Sequence, residues 1–115
     1  MSQARVWDED ALRQAGYVRA CAQRQVPTLM PLRLTLGGRG VLVCRDDEGV
    51  YALDELCPHQ LKSMAFGWIS QGALTCPHHD YMFDLKTGRH STNRCAPLGT
   101  HDVVVHEQSV WVRVS

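Results

Sequence analysis

Apolar and polar residues alternate along much of this chain, and the alternation comes in short bursts. Leu32, Leu34 and Leu36 are separated by Arg33 and Thr35, and Tyr17-Val18-Arg19-Ala20-Cys21 keeps the same spacing, which turns one face of an extended segment toward a core. Residues 41–45 and 50–53 flank Asp46-Asp47-Glu48-Gly49, predicting a hairpin in which Gly49 supplies a positive φ. Gly37-Gly38 marks another turn, and residues 67–70 and 73–76 flank Gln71-Gly72 as a further hairpin. Residues 81–84 read as a strand followed by the turn Lys86-Thr87-Gly88, and residues 101–106 and 110–114 as a last hairpin around Glu107-Gln108-Ser109.

The start of the chain departs from this rhythm. Asp8 suits a helix cap, Glu9 and Asp10 suit a first turn, Trp7 is placed to staple onto Leu12, and Gly16 suits a stop, so a short helix is expected over residues 8–15. Many short strands with Gly-rich turns predict an all-β fold, an antiparallel sandwich or small barrel. With 115 residues one domain is expected, residues 1–16 forming an N-terminal helical extension to it.

Charge narrows the function classes. Lys plus Arg and Asp plus Glu both number 12, so no net field favours nucleic acid, and the acidic run Asp46-Asp47-Glu48 falls in a turn. No apolar run approaches the roughly 18 residues of a membrane span, and the N-terminus has no charged-then-apolar leader pattern; the expectation is a cytoplasmic protein that does not enter a membrane. Five cysteines is an odd count, which suits free thiols in a reducing compartment.

The candidate chemistry lies in one stretch. Cys57-Pro58-His59 is followed, after the sixteen residues 60–75, by Cys76-Pro77-His78-His79. An equal split between Cys and His lets one iron of a [2Fe–2S] cluster take sulfur and the other nitrogen. Zinc also accepts two Cys and two His, although its fingers pair Cys with Cys and His with His at other spacings. Each cysteine precedes a proline, which fixes φ and pre-shapes the turn that aims the ligand. His101 and His106 stand five apart on one expected strand and so face opposite sides, giving no second iron site. His90 reads as a solvated loop residue and Cys44 as core. Cys/His nucleophilic catalysis is disfavoured because both pairs are consumed as ligands.

These ligand motifs, together with Phe83-Asp84-Leu85-Lys86-Thr87-Gly88-Arg89 and Gly49-Val50-Tyr51-Ala52-Leu53-Asp54, make the chain resemble the soluble Rieske ferredoxins from residue 32 onward. The resemblance implies a Rieske-type [2Fe–2S] cluster on Cys57, His59, Cys76 and His79, with His79 preferred to its neighbour His78, and two ligand loops at one tip of the fold. In high-potential Rieske proteins each loop carries a further Cys, and a Ser and a Tyr donate hydroxyls to sulfur. Here His78 stands at one such Cys place, Tyr81 at the Ser and Phe83 at the Tyr, which predicts a low potential. Leu61 and Asp80 occupy places where the family has glycine.

Residues 93–98 correspond to the family's third loop, with Cys95 as a packing residue, and Leu61, Met64, Phe66 and Pro97 are candidates for a docking patch or, equally, for loop core that keeps water from the cluster. The implied function is one-electron transfer from a flavin-dependent reductase to a terminal enzyme such as a Rieske-type oxygenase, by a monomer with no substrate chemistry of its own. The alternative is the small Rieske-like subunit of an assimilatory nitrite reductase complex. A zinc-stabilised interaction module is the reading from a different class.

Overall fold

The computed structural model describes residues 8–58, 61–77 and 81–115. Helix α1, Glu9–Gln14, is six residues long, and the Asp8 side chain caps it by accepting from the Ala11 amide at 2.8 Å. A helix this short is not stable by itself. It is held by Leu12, which is fully buried against Tyr17 and Trp111, while the Arg13 guanidinium lies 5.2 Å from the centre of the Trp111 ring. Gly16, at φ 94°, turns the chain out of the helix as expected. The expected staple from Trp7 lies outside the described residues.

Among the described residues nine strands follow: β1 Val18–Ala22, β2 Leu32–Leu36, β3 Arg39–Asp46, β4 Gly49–Asp54, β5 Trp68–Ser70, β6 Ala73–Thr75, β7 Met82–Asp84, β8 Thr100–His106 and β9 Ser109–Arg113. They form a six-stranded sheet in the order β1-β9-β8-β4-β3-β2 and a three-stranded sheet in the order β5-β6-β7. All pairings are antiparallel. The larger sheet curls until its edge strands β1 and β2 come together, a nearly closed small barrel. Its interior is filled by Val41, Val43, Ala52, Val110, Val112, Cys21 and Val26.

Strand β3 explains how the two sheets are joined. Val41, Leu42, Val43 and Cys44 are all fully buried, so this segment does not alternate between core and solvent. Val41 and Val43 point into the barrel, whereas Leu42 and Cys44 point the other way, into a second core beneath the three-stranded sheet. Each Val or Leu so buried stabilises the fold by about 1.5–3 kcal/mol. Burial pushes the Cys44 thiol up to about 12.

The β3–β4 hairpin corrects one expectation. Gly49 is not among the described residues at positive φ. Instead the Asp46 carboxylate accepts from the amides of Glu48, at 2.8 Å, and Gly49, at 3.1 Å, and this closes the turn without a left-handed residue. The β8–β9 turn goes the other way, with Glu107 and Gln108 at φ 49° and 68°. Paired positive φ values match the right-handed twist of a hairpin, and here the favourable twist outweighs the cost of about 1–2 kcal/mol per non-Gly residue.

Candidate metal centre

Three loops converge on the core beneath the small sheet. The first leaves β4. The Glu55 carbonyl accepts from Met64 at 2.9 Å, Leu56 bridges to Ser63, and the Cys57 amide donates to the Lys62 carbonyl at 2.8 Å. The Glu55 carboxylate braces the base by accepting from Arg33 Nε at 2.9 Å and Ser63 Oγ at 2.6 Å, and these two bonds hold its pKa below the usual value. Leu61 adopts φ 55° with its amide donating to the Cys57 carbonyl at 2.6 Å. The backbone thus takes a glycine-like conformation where the resemblance to the Rieske ferredoxins implies glycine, and Leu accepts the strain.

The second loop joins β6 to β7 and repeats the same closure, the Cys76 amide donating to the Tyr81 carbonyl at 2.7 Å. In both loops, then, a Cys-Pro starts the excursion and the cysteine amide binds the carbonyl five residues on. Cys57 and Cys76 are fully buried, share one apolar core with Leu42, Leu53, Met64, Leu74, Phe83 and Leu98, and are not in a disulfide. His59, His78, His79 and Asp80 lie outside the described residues.

The third loop returns from β7. Asp84 caps the turn, its carboxylate accepting from Lys86 and Thr87 amides at 3.0 and 2.9 Å. Gly88, at φ 75°, has no room for a side chain: a Cβ there would stand 2.0 Å from the Leu98 carbonyl oxygen. Cys95 is half-buried against the shared core, a packing position as expected, and burial first and Cys57 second push its thiol pKa up.

One alternative is decided and one expectation requires correction. Met64 is fully buried in the shared core and is not part of a surface patch, whereas Leu61 and Phe66 are 70% and 83% exposed and Pro97 is exposed too. His90 is not a solvated loop residue but 6% exposed, bridged to Phe83 across the turn. The available signal was register: a turn centred on Lys86-Thr87 that pairs 84 with 89 sets 90 opposite 83. His101 carried no expectation beyond its place on the strand. It is buried, with Nε2 2.9 Å from Asp54 Oδ1 and Nδ1 accepting from the Ser115 amide at 3.1 Å. As expected, His101 and His106 occupy positions of opposite parity on β8 and do not converge.

A family model for the Rieske [2Fe-2S] domain matches residues 16–105. The chain belongs to the Rieske [2Fe-2S] domain family. Its cofactor is therefore a Rieske-type [2Fe–2S] cluster, and the residues present fit one: two buried thiols, neither in a disulfide, enter from matched loops, and the buried His90 imidazole, packed on Phe83 of the same core, has a ring nitrogen with no hydrogen-bond partner among the described residues. The Rieske match begins well before residue 32 and leaves α1 at one end and β9 at the other outside it. The chain is similar to the ferredoxin component of the naphthalene 1,2-dioxygenase system of Pseudomonas aeruginosa, with 29% identity over 103 residues, covering 86% of this chain and 96% of that protein. Among solved structures it is similar to the ferredoxin of carbazole 1,9a-dioxygenase from Nocardioides aromaticivorans IC177, at TM-score 0.78 and 29% identity, covering 86% of this chain and 98% of that one. It is also similar to a chain in a complex of reduced oxygenase and oxidized ferredoxin in carbazole 1,9a-dioxygenase, at TM-score 0.76 and 27% identity, covering 85% and 93%.

Proposed function

We propose that this chain is a one-electron carrier that receives an electron from a flavin-dependent reductase and delivers it to a terminal Rieske-type oxygenase, acting in the cytoplasm as a monomer. The observation that carries the reading is the matched pair of loops, each opening on a buried Cys-Pro and closed by the same backbone bond. The likeness to ferredoxin components of dioxygenase systems, one of them in a complex with its oxygenase, supports the choice of acceptor. Among the described residues no helix is long and apolar enough to cross a membrane.

We assign Cys57 and Cys76 as sulfur ligands and His59 and His79 as nitrogen ligands. The bound group supplies a single reversible electron. The chain's part is to hold the thiolates in place, to keep water away with Leu42, Leu53, Met64, Leu74 and Phe83, and to present Leu61, Phe66 and Pro97 to a partner. No residue performs substrate chemistry in this reading. Iron and acid-labile sulfide analysis, with electron–nuclear spectroscopy of the reduced protein, tests it: iron and sulfide in equal amounts and two directly bound imidazole nitrogens are expected. Zinc without sulfide would overturn the ligand assignment. Tight copurification with the large subunit of a nitrite reductase, in place of reversible reduction by a flavin-dependent reductase, would replace the carrier role with that of a complex subunit.

A further inference from the structure

His90 is the one buried imidazole among the described residues with a ring nitrogen left without a protein acceptor. Its two nitrogens are in different situations. Nδ1 accepts from the amides of Thr92 at 3.1 Å and Arg94 at 3.3 Å, so Nδ1 carries no proton and, in the neutral ring, the proton sits on Nε2. Nε2 is buried and has no hydrogen-bond partner. A buried donor without an acceptor is costly, and a native fold that keeps one commonly has a use for it.

The direction of the ring follows from the ladder. His90 is the direct antiparallel partner of Phe83, so the two side chains share a face. Residues 81 and 83 have the same parity, and the imidazole meets both rings edge-on, at 4.5 Å from Tyr81 and 5.6 Å from Phe83 between centroids. Phe83 and Tyr81 belong to the core that holds Cys57 and Cys76. The imidazole therefore lies on the sulfur-bearing side of β7, packed against both Tyr81 and Phe83.

We propose that His90 donates a hydrogen bond from Nε2 to sulfur of the bound [2Fe–2S] group, raising its midpoint potential in partial replacement of the hydroxyl absent from Phe83. This rests on the electron-carrier reading above. A donor aimed at sulfur stabilises the more negative, reduced state, so its loss lowers the potential. The competing arrangement, in which the N–H only touches the face of Tyr81, is a weak contact and predicts no redox effect.

His90→Asn separates the two roles of the ring. Its amide oxygen takes the place of Nδ1 and keeps the caps on Thr92 and Arg94, while the Nε2–H is removed. The expected result is a normally loaded protein with a midpoint shifted to lower potential and loss of one exchangeable proton coupled to the reduced centre. His90→Phe removes both roles, and a lower potential combined with weaker retention of iron is expected. An unshifted potential in fully loaded His90→Asn overturns the proposal whatever His90→Phe does, because the ring would then only brace the loop. Zinc in the native protein would overturn the carrier reading and this proposal together, and metal analysis tells the two failures apart.

Discussion

The two sheets of this protein solve different problems. In the larger sheet the β3–β4 ladder pairs six residues, the edge strands approach closure, and the interior is built from small β-branched side chains. The smaller sheet has three strands of three residues each, and its core contains the two thiols that we assign as ligands. Strands that short are marginal unless something packs against them. Here Leu42, Cys44 and Leu53, on the outer face of the barrel, supply that support. The barrel is thus a self-sufficient platform, and the ligand-bearing sheet depends on both the platform and the cofactor. Ligation free energy acts as folding free energy where a site is not otherwise preformed.

The largest effect should come from removing a ligand. Cys57→Ala or Cys76→Ala should abolish the cluster, and hydrogen exchange should then show lost protection in β5 to β7 while β3 and β4 remain protected. Uniform loss across both sheets would break the distinction between platform and dependent sheet. Next, glycine substitutions should divide by region. Gly88→Ala, which drives a Cβ into the Leu98 carbonyl, should cost more than about 3 kcal/mol, whereas Gly37→Ala, in open space at φ 59°, should cost about 1 kcal/mol in urea unfolding.

Neighbouring positions on β3 sharpen the comparison further. Leu42→Ala should destabilise by about 2–5 kcal/mol and also speed iron release, because its side chain supports the small sheet. Val43→Ala, facing the barrel interior, should lower stability without speeding iron release. Redox titration extends the test to β7: the native midpoint should lie in the lower part of the range of about −150 to +300 mV, and Phe83→Tyr should raise it if the hydroxyl meets sulfur. The smallest effect concerns Cys44. Its thiol pKa rises from 9.0 to about 12, so the folded state binds the proton more tightly than the unfolded one. The resulting stabilisation is complete below about pH 9 and is lost as pH rises toward 12. Cys44→Ala should flatten that alkaline decline, read from unfolding curves at each pH.

Most of the strand order was legible in the sequence because alternation and turn chemistry are local. The pairs Gln71-Gly72 and Gly37-Gly38 are at positive φ, and Asp8 caps α1, as their residue types imply. The Cys-Pro-His and Cys-Pro-His-His motifs likewise declared the cofactor class, since ligand chemistry is a property of residue types and spacing. Gly49 misled because a carboxylate two or three residues before an amide can close a turn that glycine would otherwise serve.

What only the tertiary structure decided is which residues are buried on a second side. A two-residue period records one covered face, and nothing in residues 41–44 alone distinguishes a strand covered on both faces from a buried helix segment. Met64 was left open between a surface patch and loop core because its neighbours in the fold come from distant parts of the chain, whereas His90 was misread although the register of the turn places it opposite Phe83. Local sequence specified the strands, the turns and the ligand types. The packing of one sheet on the other determined that the imidazole of His90 is buried and which apolar side chains enclose the thiols, because burial depends on contacts that no short window of sequence contains.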